Sequence, residues 1–152
     1  MAVKQTYIDT SLILAILLET EKSNLAQQVL ETYGKYEFVI SGIAVNETLY
    51  VATHEYYRQK GMIKGRHSLR KLIAKQGYPK EVIDTLDSLL KDLNVEIIND
   101  YFEYAEYLKI LQEYKLLPND AQIVLTCRHR GIKTILTFDD DFKRVPWLNP
   151  VP

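Results

Sequence analysis

The sequence predicts a three-layer α/β/α sandwich built on a central parallel sheet of four to five strands. Short stretches of strand type, the apolar run Phe38-Val39-Ile40 and Val95-Glu96-Ile97-Ile98 among them, alternate with longer stretches in which apolar residues recur at helical spacing. The residues between them are helix punctuation: Thr10 and Ser11, Ser23, Gly34, Gly42, Pro118 and Gly131. Strands that alternate with helices pair in parallel through right-handed crossovers, which leaves helices on both faces of the sheet.

Taken in order, Lys4 to Asp9 reads as a first strand. A helix follows through Leu12, Ile13, Ile16 and Leu17, with Thr10 or Ser11 as its cap. Ser23 can cap a second helix, which Gly34 ends. Glu37 to Ser41 is a second strand, and Gly42 turns it into a long helix reaching about Gln59. Gly61 and Gly65 mark a break. Ser68 to Gln76 and Lys80 to Leu93 then read as two helices separated by Gly77-Tyr78-Pro79. Val95 to Ile98 is the third strand. Asp100 with Glu103 has the spacing of a capping box, opening a helix through Phe102, Ala105, Leu108 and Leu111. Pro118 suits the first turn of the next helix, which ends at Gly131 with Arg128 and Arg130 in its last turn. Ile132 to Thr137 is the fourth strand, and the tail from Val145 has room for one short extra strand.

Composition narrows the class. A chain of 152 residues fits one domain, 1–152, with 47% hydrophobic and 26% charged residues, an ordinary globular balance. The longest apolar run, Leu12 to Leu18, is far short of the ~20 residues that cross a bilayer. Met1 to Thr6 carries Lys4 but no apolar core of a secretory leader, so the expected location is the cytoplasm. Cys127 is the single cysteine, which excludes an intrachain disulfide and a cysteine-rich zinc site; its apolar neighbours make it a buried hydrophobe. None of His54, His67 and His129 sits in a zinc-protease or triad motif. Neither a P-loop nor a dinucleotide fingerprint is present.

Four acidic motifs stand where strands should end or the following helices begin. They are Tyr7-Ile8-Asp9-Thr10-Ser11, Asn46-Glu47-Thr48-Leu49, Pro118-Asn119-Asp120-Ala121 and Thr137-Phe138-Asp139-Asp140-Asp141-Phe142. In parallel sheets the site lies beyond the carboxyl ends of the strands. Carboxylates gathered there repel by on the order of 4 kcal/mol for a pair ~4 Å apart at an effective dielectric of ~20. A divalent cation, Mg²⁺ or Mn²⁺, would offset that repulsion, and the matching chemistry is hydrolysis of a phosphodiester. Each acid alone reads as a cap or a solvated side chain; their shared sheet edge is the signal.

Asp9-Thr-Ser after the first strand, Glu47 in the third helix, Asp120-Ala-Gln-Ile opening a late helix and Thr137-Phe-Asp-Asp-Asp-Phe after the last main strand together resemble a PIN domain. More narrowly, the chain is similar to prokaryotic VapC-like toxins over nearly its whole length. The resemblance implies a metal-dependent endoribonuclease. Asp9, Glu47, Asp120 and Asp139 match the family's acidic positions, Asp141 a further acid of the final motif, and Ser11 and Thr137 small hydroxyl positions lining the site. It also implies an antitoxin partner and a homodimer.

From Tyr56 to Lys80 there is no Asp or Glu and there are eight Lys or Arg, including Arg58, Lys64, Arg66, Arg70 and Lys71. With Tyr56, Tyr57, His54 and His67 nearby, this basic helical elaboration at about 61–93 suits single-stranded RNA, since cations neutralise phosphates while rings stack on bases. Two rival readings stand beside the ribonuclease. A metal-dependent phosphatase using Asp9 as nucleophile would carry a second Asp two positions on, where this chain has Ser11. An inactive RNA-binding scaffold would have no reason to keep every acid.

Overall fold

The computed structural model describes residues 4–63 and 66–152, and of Arg66 and His67 the backbone alone. Five strands form one wholly parallel sheet: β1 (Gln5–Ile8), β2 (Glu37–Ser41), β3 (Glu96–Ile98), β4 (Thr134–Leu136) and β5 (Asn149–Val151), in the spatial order β3-β2-β1-β4-β5. Tyr7 of β1 pairs with Val39 on one side and Ile135 on the other. Tyr7, Ile8, Val39, Ile40, Ile135 and Leu136 are all fully buried. Consecutive strand residues are therefore covered on both faces, which is why these strands read as apolar runs rather than as alternations.

The helices are α1 (Thr10–Leu17), α2 (Ser23–Thr32), α3 (Gly42–Gln59), α4 (Arg66–Gln76), α5 (Lys80–Asp92), α6 (Tyr104–Tyr114) and α7 (Pro118–Arg130). They flank the sheet as an α/β/α sandwich. The most deeply set is α7, whose residues from Ala121 to Cys127 are all buried. Its ends follow the sequence signals: Pro118 occupies the first turn, and Gly131, with φ +70°, closes it in the left-handed region and turns the chain toward β4. The free Cys127 is fully buried, and burial pushes its thiol pKa up.

β1, β2 and β3 are laid to one side of the sheet and β4 and β5 to the other, so the strand order reverses between β1 and β4. That reversal opens a crevice beyond their carboxyl ends. The pairing runs one residue past the strands, with the Asp9 N–H on Leu136 O at 2.9 Å. Asp9 and Thr137 thus stand side by side at the mouth of the crevice.

Two local expectations are corrected and one element is added. Asp9, not Thr10 or Ser11, holds the cap position of α1, and its side chain caps nothing. Glu103 is itself the cap of α6, accepting from Ala105 N and Glu106 N, while Asp100 Oδ2 accepts the N–H of Ile43 at 3.0 Å. Asp100 therefore caps α3, 57 positions earlier, instead of sharing a capping box with Glu103. Finally, Asp140–Arg144 forms a 3-10 helix, where the sequence reading places no element.

A smaller apolar cluster of Tyr57, Ile63 and Leu69, with Leu72 and Ile73 against it, joins α4 to the end of α3. The Tyr57 hydroxyl donates to Gly77 O at 2.8 Å and pins the turn between α4 and α5.

Candidate active site

Asp9 is 4% exposed. Its Oδ2 accepts from Ser11 Oγ and from Thr137 Oγ1, each at 2.8 Å. Each hydroxyl in turn accepts a backbone N–H from the segment after β4: Phe138 N to Ser11 Oγ at 2.9 Å and Asp139 N to Thr137 Oγ1 at 2.9 Å. Donating one way and accepting the other, the two hydroxyls tie the end of β1 to the end of β4. Burial raises the Asp9 pKa, and the hydrogen bonds from Thr137 and Ser11 oppose the rise.

Glu47 is brought in by α3. Thr10 in the first turn of α1 donates to Ala44 O at 3.1 Å and lies 3.4 Å from Thr48 Oγ1, which seats α3 against α1. Glu47, half-buried beside Thr48, has its pKa raised by burial and then by the charges of Asp9 and Asp139. Asp120 sits in the first turn of α7, also half-buried. Burial, followed by the charges of Asp139, Asp9, Glu47 and Asp141, pushes its pKa up to about 7. Asp139 caps the 3-10 helix, accepting the N–H of Asp141 at 2.9 Å.

The five acids are thus neighbours, but not equally so. Asp120, Asp139 and Asp141 each present a donor atom within 4.8 Å of the other two. Asp9 and Glu47 stand outside that tight trio, close enough to act through their charge. Among the described residues one cation touches the cluster: Arg144, which pairs with Asp141 and donates to Lys115 O at 2.5 Å. Five carboxylates against one guanidinium leave an anionic hollow. Its donors are all oxygen, the set that Mg²⁺ and Mn²⁺ prefer over softer metals, so the residues fit such an ion.

Arg144 was not foreseen from sequence, although its spacing of three from Asp141 is that of neighbours on one helical face. Asp140, between two of the trio, turns outward and pairs with Lys143 at 2.8 Å. Of the basic residues named as RNA contacts, Arg58 is held by Glu55, with Nε at 2.8 Å from the carboxylate, and Arg70 and Lys71 are exposed on α4. Lys64 lies outside the described residues, as does the side chain of Arg66. No described helix is long and apolar enough to cross a membrane.

The sequence profile that matches this chain is that of the PIN domain, over residues 6–148. Among curated proteins, Ribonuclease VapC6 of Methanocaldococcus jannaschii is 27% identical over 150 residues, 97% of each chain. Among solved structures, VapC20 of Mycobacterium tuberculosis, described as a sarcin-ricin loop cleaving toxin, superposes with a TM-score of 0.62 at 15% identity, covering 97% of this chain and 99% of that one. A chain of a toxin-antitoxin complex from Klebsiella pneumoniae superposes with a TM-score of 0.59 at 22% identity, covering 94% of each.

Proposed function

The chain belongs to the PIN domain family, and from that premise we propose that it is an endoribonuclease that hydrolyses RNA phosphodiesters with the help of Mg²⁺ or Mn²⁺. The observation that carries this reading is the gathering of five carboxylates in one hollow beyond β1 and β4, with Asp120 pushed up to about 7 by burial and by its neighbours. An arrangement that costs this much electrostatic energy in the free protein is kept where a cation relieves it. A relative of matching length that bears the name ribonuclease supports RNA as the substrate.

In this reading Asp120, Asp139 and Asp141 hold the ion, with Asp9 and Glu47 as further ligands or orienting acids. When bound, a divalent cation supplies activation of water and neutralisation of charge developing on the phosphate. The protein's own part is positional. Ser11 and Thr137 keep Asp9 turned into the hollow, and Arg144 orients Asp141. Glu47, half-buried and with its pKa raised, is suited to accept a proton from the attacking water. Exposed Arg70 and Lys71 add phosphate contacts away from the hollow.

We include an antitoxin among its partners, because a chain of a toxin-antitoxin complex shares the fold along nearly its full length. Expression of the protein alone should then arrest growth, and co-expression with the product of a neighbouring small gene should relieve the arrest.

The direct test is cleavage of end-labelled RNA with Mg²⁺ or Mn²⁺. Asp120→Asn and Asp139→Asn should each reduce the rate at least a hundredfold without loss of fold. A wild-type protein that binds RNA but cleaves none with either ion would favour the inactive scaffold instead.

A further inference from the structure

Resting on the ribonuclease reading, we propose that a nucleobase of the RNA docks beside the carboxylates in a cavity formed by Tyr50, Tyr78, Asn46 and Asn119. This cavity, of about 550 Å³, shares Glu47 with the acidic hollow as a lining residue. Its volume lies within the ~300–1,000 Å³ of small-ligand pockets. Tyr50 follows Glu47 by one turn on α3, and Asn119 directly precedes Asp120 on α7. Any strand whose phosphate lies among the acids therefore has a neighbouring base within reach of this wall.

The lining suits a base in particular. Tyr50 is 51% and Tyr78 49% exposed, unusual for rings this large. Among the described residues neither ring pairs with another aromatic ring, and neither hydroxyl is hydrogen-bonded. Asn46 and Asn119, both exposed, offer amides that donate and accept, as the edge of a base requires. Stacking and amide pairing need no cation in the protein, so this subsite can sit against an acidic hollow that would repel a bare phosphate.

Tyr78 is also firmly placed. Gly77, with φ +75°, ends α4, its N–H bonded to Ile73 O at 2.8 Å and its carbonyl held by the Tyr57 hydroxyl, while Pro79 is buried at the start of α5. The α4–α5 segment thus delivers one aromatic ring to the rim of the hollow. A separate cavity, lined by Ser11, Lys22, Phe138 and Asp139, also borders the acids, with Lys22 Nζ 5.1 Å from the centre of the Phe138 ring.

The test measures anisotropy of a labelled single-stranded oligoribonucleotide with the full chain, with Ca²⁺ supplied in place of Mg²⁺ or Mn²⁺ and the strand checked to be intact on a gel. Tyr50→Ala and Tyr78→Ala should each weaken binding about tenfold, and Tyr78→Phe should bind as wild type does. An abasic position that weakens wild-type binding should cost Tyr78→Ala nothing further. Wild-type affinity in both alanine variants, or no wild-type binding at all, would overturn the proposal. So would variants that keep RNA affinity and lose self-association in sedimentation, since the face would then be a protein interface. Tyrosine-dependent binding without cleavage in Mg²⁺ or Mn²⁺ would end the ribonuclease reading and leave the subsite; cleavage with tyrosine-independent binding would end the subsite alone.

Discussion

Thr137 donates its hydroxyl to Asp9 Oδ2 at 2.8 Å and accepts the backbone N–H of Asp139 at 2.9 Å, so one side chain links the acid after β1 to the acid after β4. Replacing it by isosteric Val leaves a buried carboxylate short of a donor and a backbone N–H short of an acceptor. Thr137→Val should cost about 2 kcal/mol of stability at pH 7 in urea unfolding, and ten- to a hundredfold in cleavage rate, as for groups that orient metal ligands. Unchanged stability would mean that water replaces the hydroxyl without loss.

Asp120, like Asp9 and Glu47, is held above its ordinary pKa in the metal-free protein and contributes to its pH dependence. Its folded pKa, about 7, lies above the ordinary 3.8, so between those values the folded state binds the proton and the unfolded state does not. Stability from this group is fully present below about pH 4 and lost as pH rises through 7. Asp120→Asn should therefore match wild type at about pH 4 and exceed it increasingly up to about pH 8. Because the carboxyl is only half-buried, solvent screening limits the gain to about 1 kcal/mol, or roughly 2–4 °C in Tm. A pH-independent difference between the two proteins would contradict this assignment.

Divalent cations should stabilise the wild type by relieving the same repulsion. At a hundredfold excess over Kd the gain is about 2.7 kcal/mol, readable as a saturable rise in Tm with Mn²⁺ at pH 7.5. Asp139→Asn should lose most of that rise, whereas Asp140→Asn, outside the trio, should keep it. Equal responses would place the ion elsewhere.

Arg70 and Lys71 concern affinity rather than chemistry. If both contact phosphates, Arg70→Glu with Lys71→Glu should flatten the log–log dependence of RNA binding on salt by about 1.4, the ~0.7 per contact of single strands taken twice. An unchanged slope would assign α4 to the solvated surface.

Much of the fold was legible because it depends on near neighbours. Short stretches of β-branched and aromatic side chains, Thr6-Tyr7-Ile8 and Phe38-Val39-Ile40, marked β1 and β2, and Pro118 and Gly131 marked the ends of α7. The same local reasoning misread Asp100, whose spacing from Glu103 satisfies a capping pattern while its partner, Ile43 N, belongs to a helix that begins 58 residues earlier. Local pattern also does not separate a packing tyrosine from an exposed one: Tyr7 is fully buried with its hydroxyl 2.6 Å from Ser41 Oγ, whereas Tyr50 and Tyr78 are about half exposed.

The sequence by itself determined the α/β/α class, the alternation of elements and the placing of acids at strand ends and helix starts, because hydrophobic period, caps and glycines act within a few residues. Only the tertiary structure decided that Asp120, Asp139 and Asp141 form the tight trio, that Ser11 and Thr137 bind Asp9, and that Tyr78 reaches the cavity shared with Glu47. Charge, hydrogen bonding and stacking depend on distance through space, and the crossovers on either side of β1 bring together groups separated by more than a hundred positions along the chain.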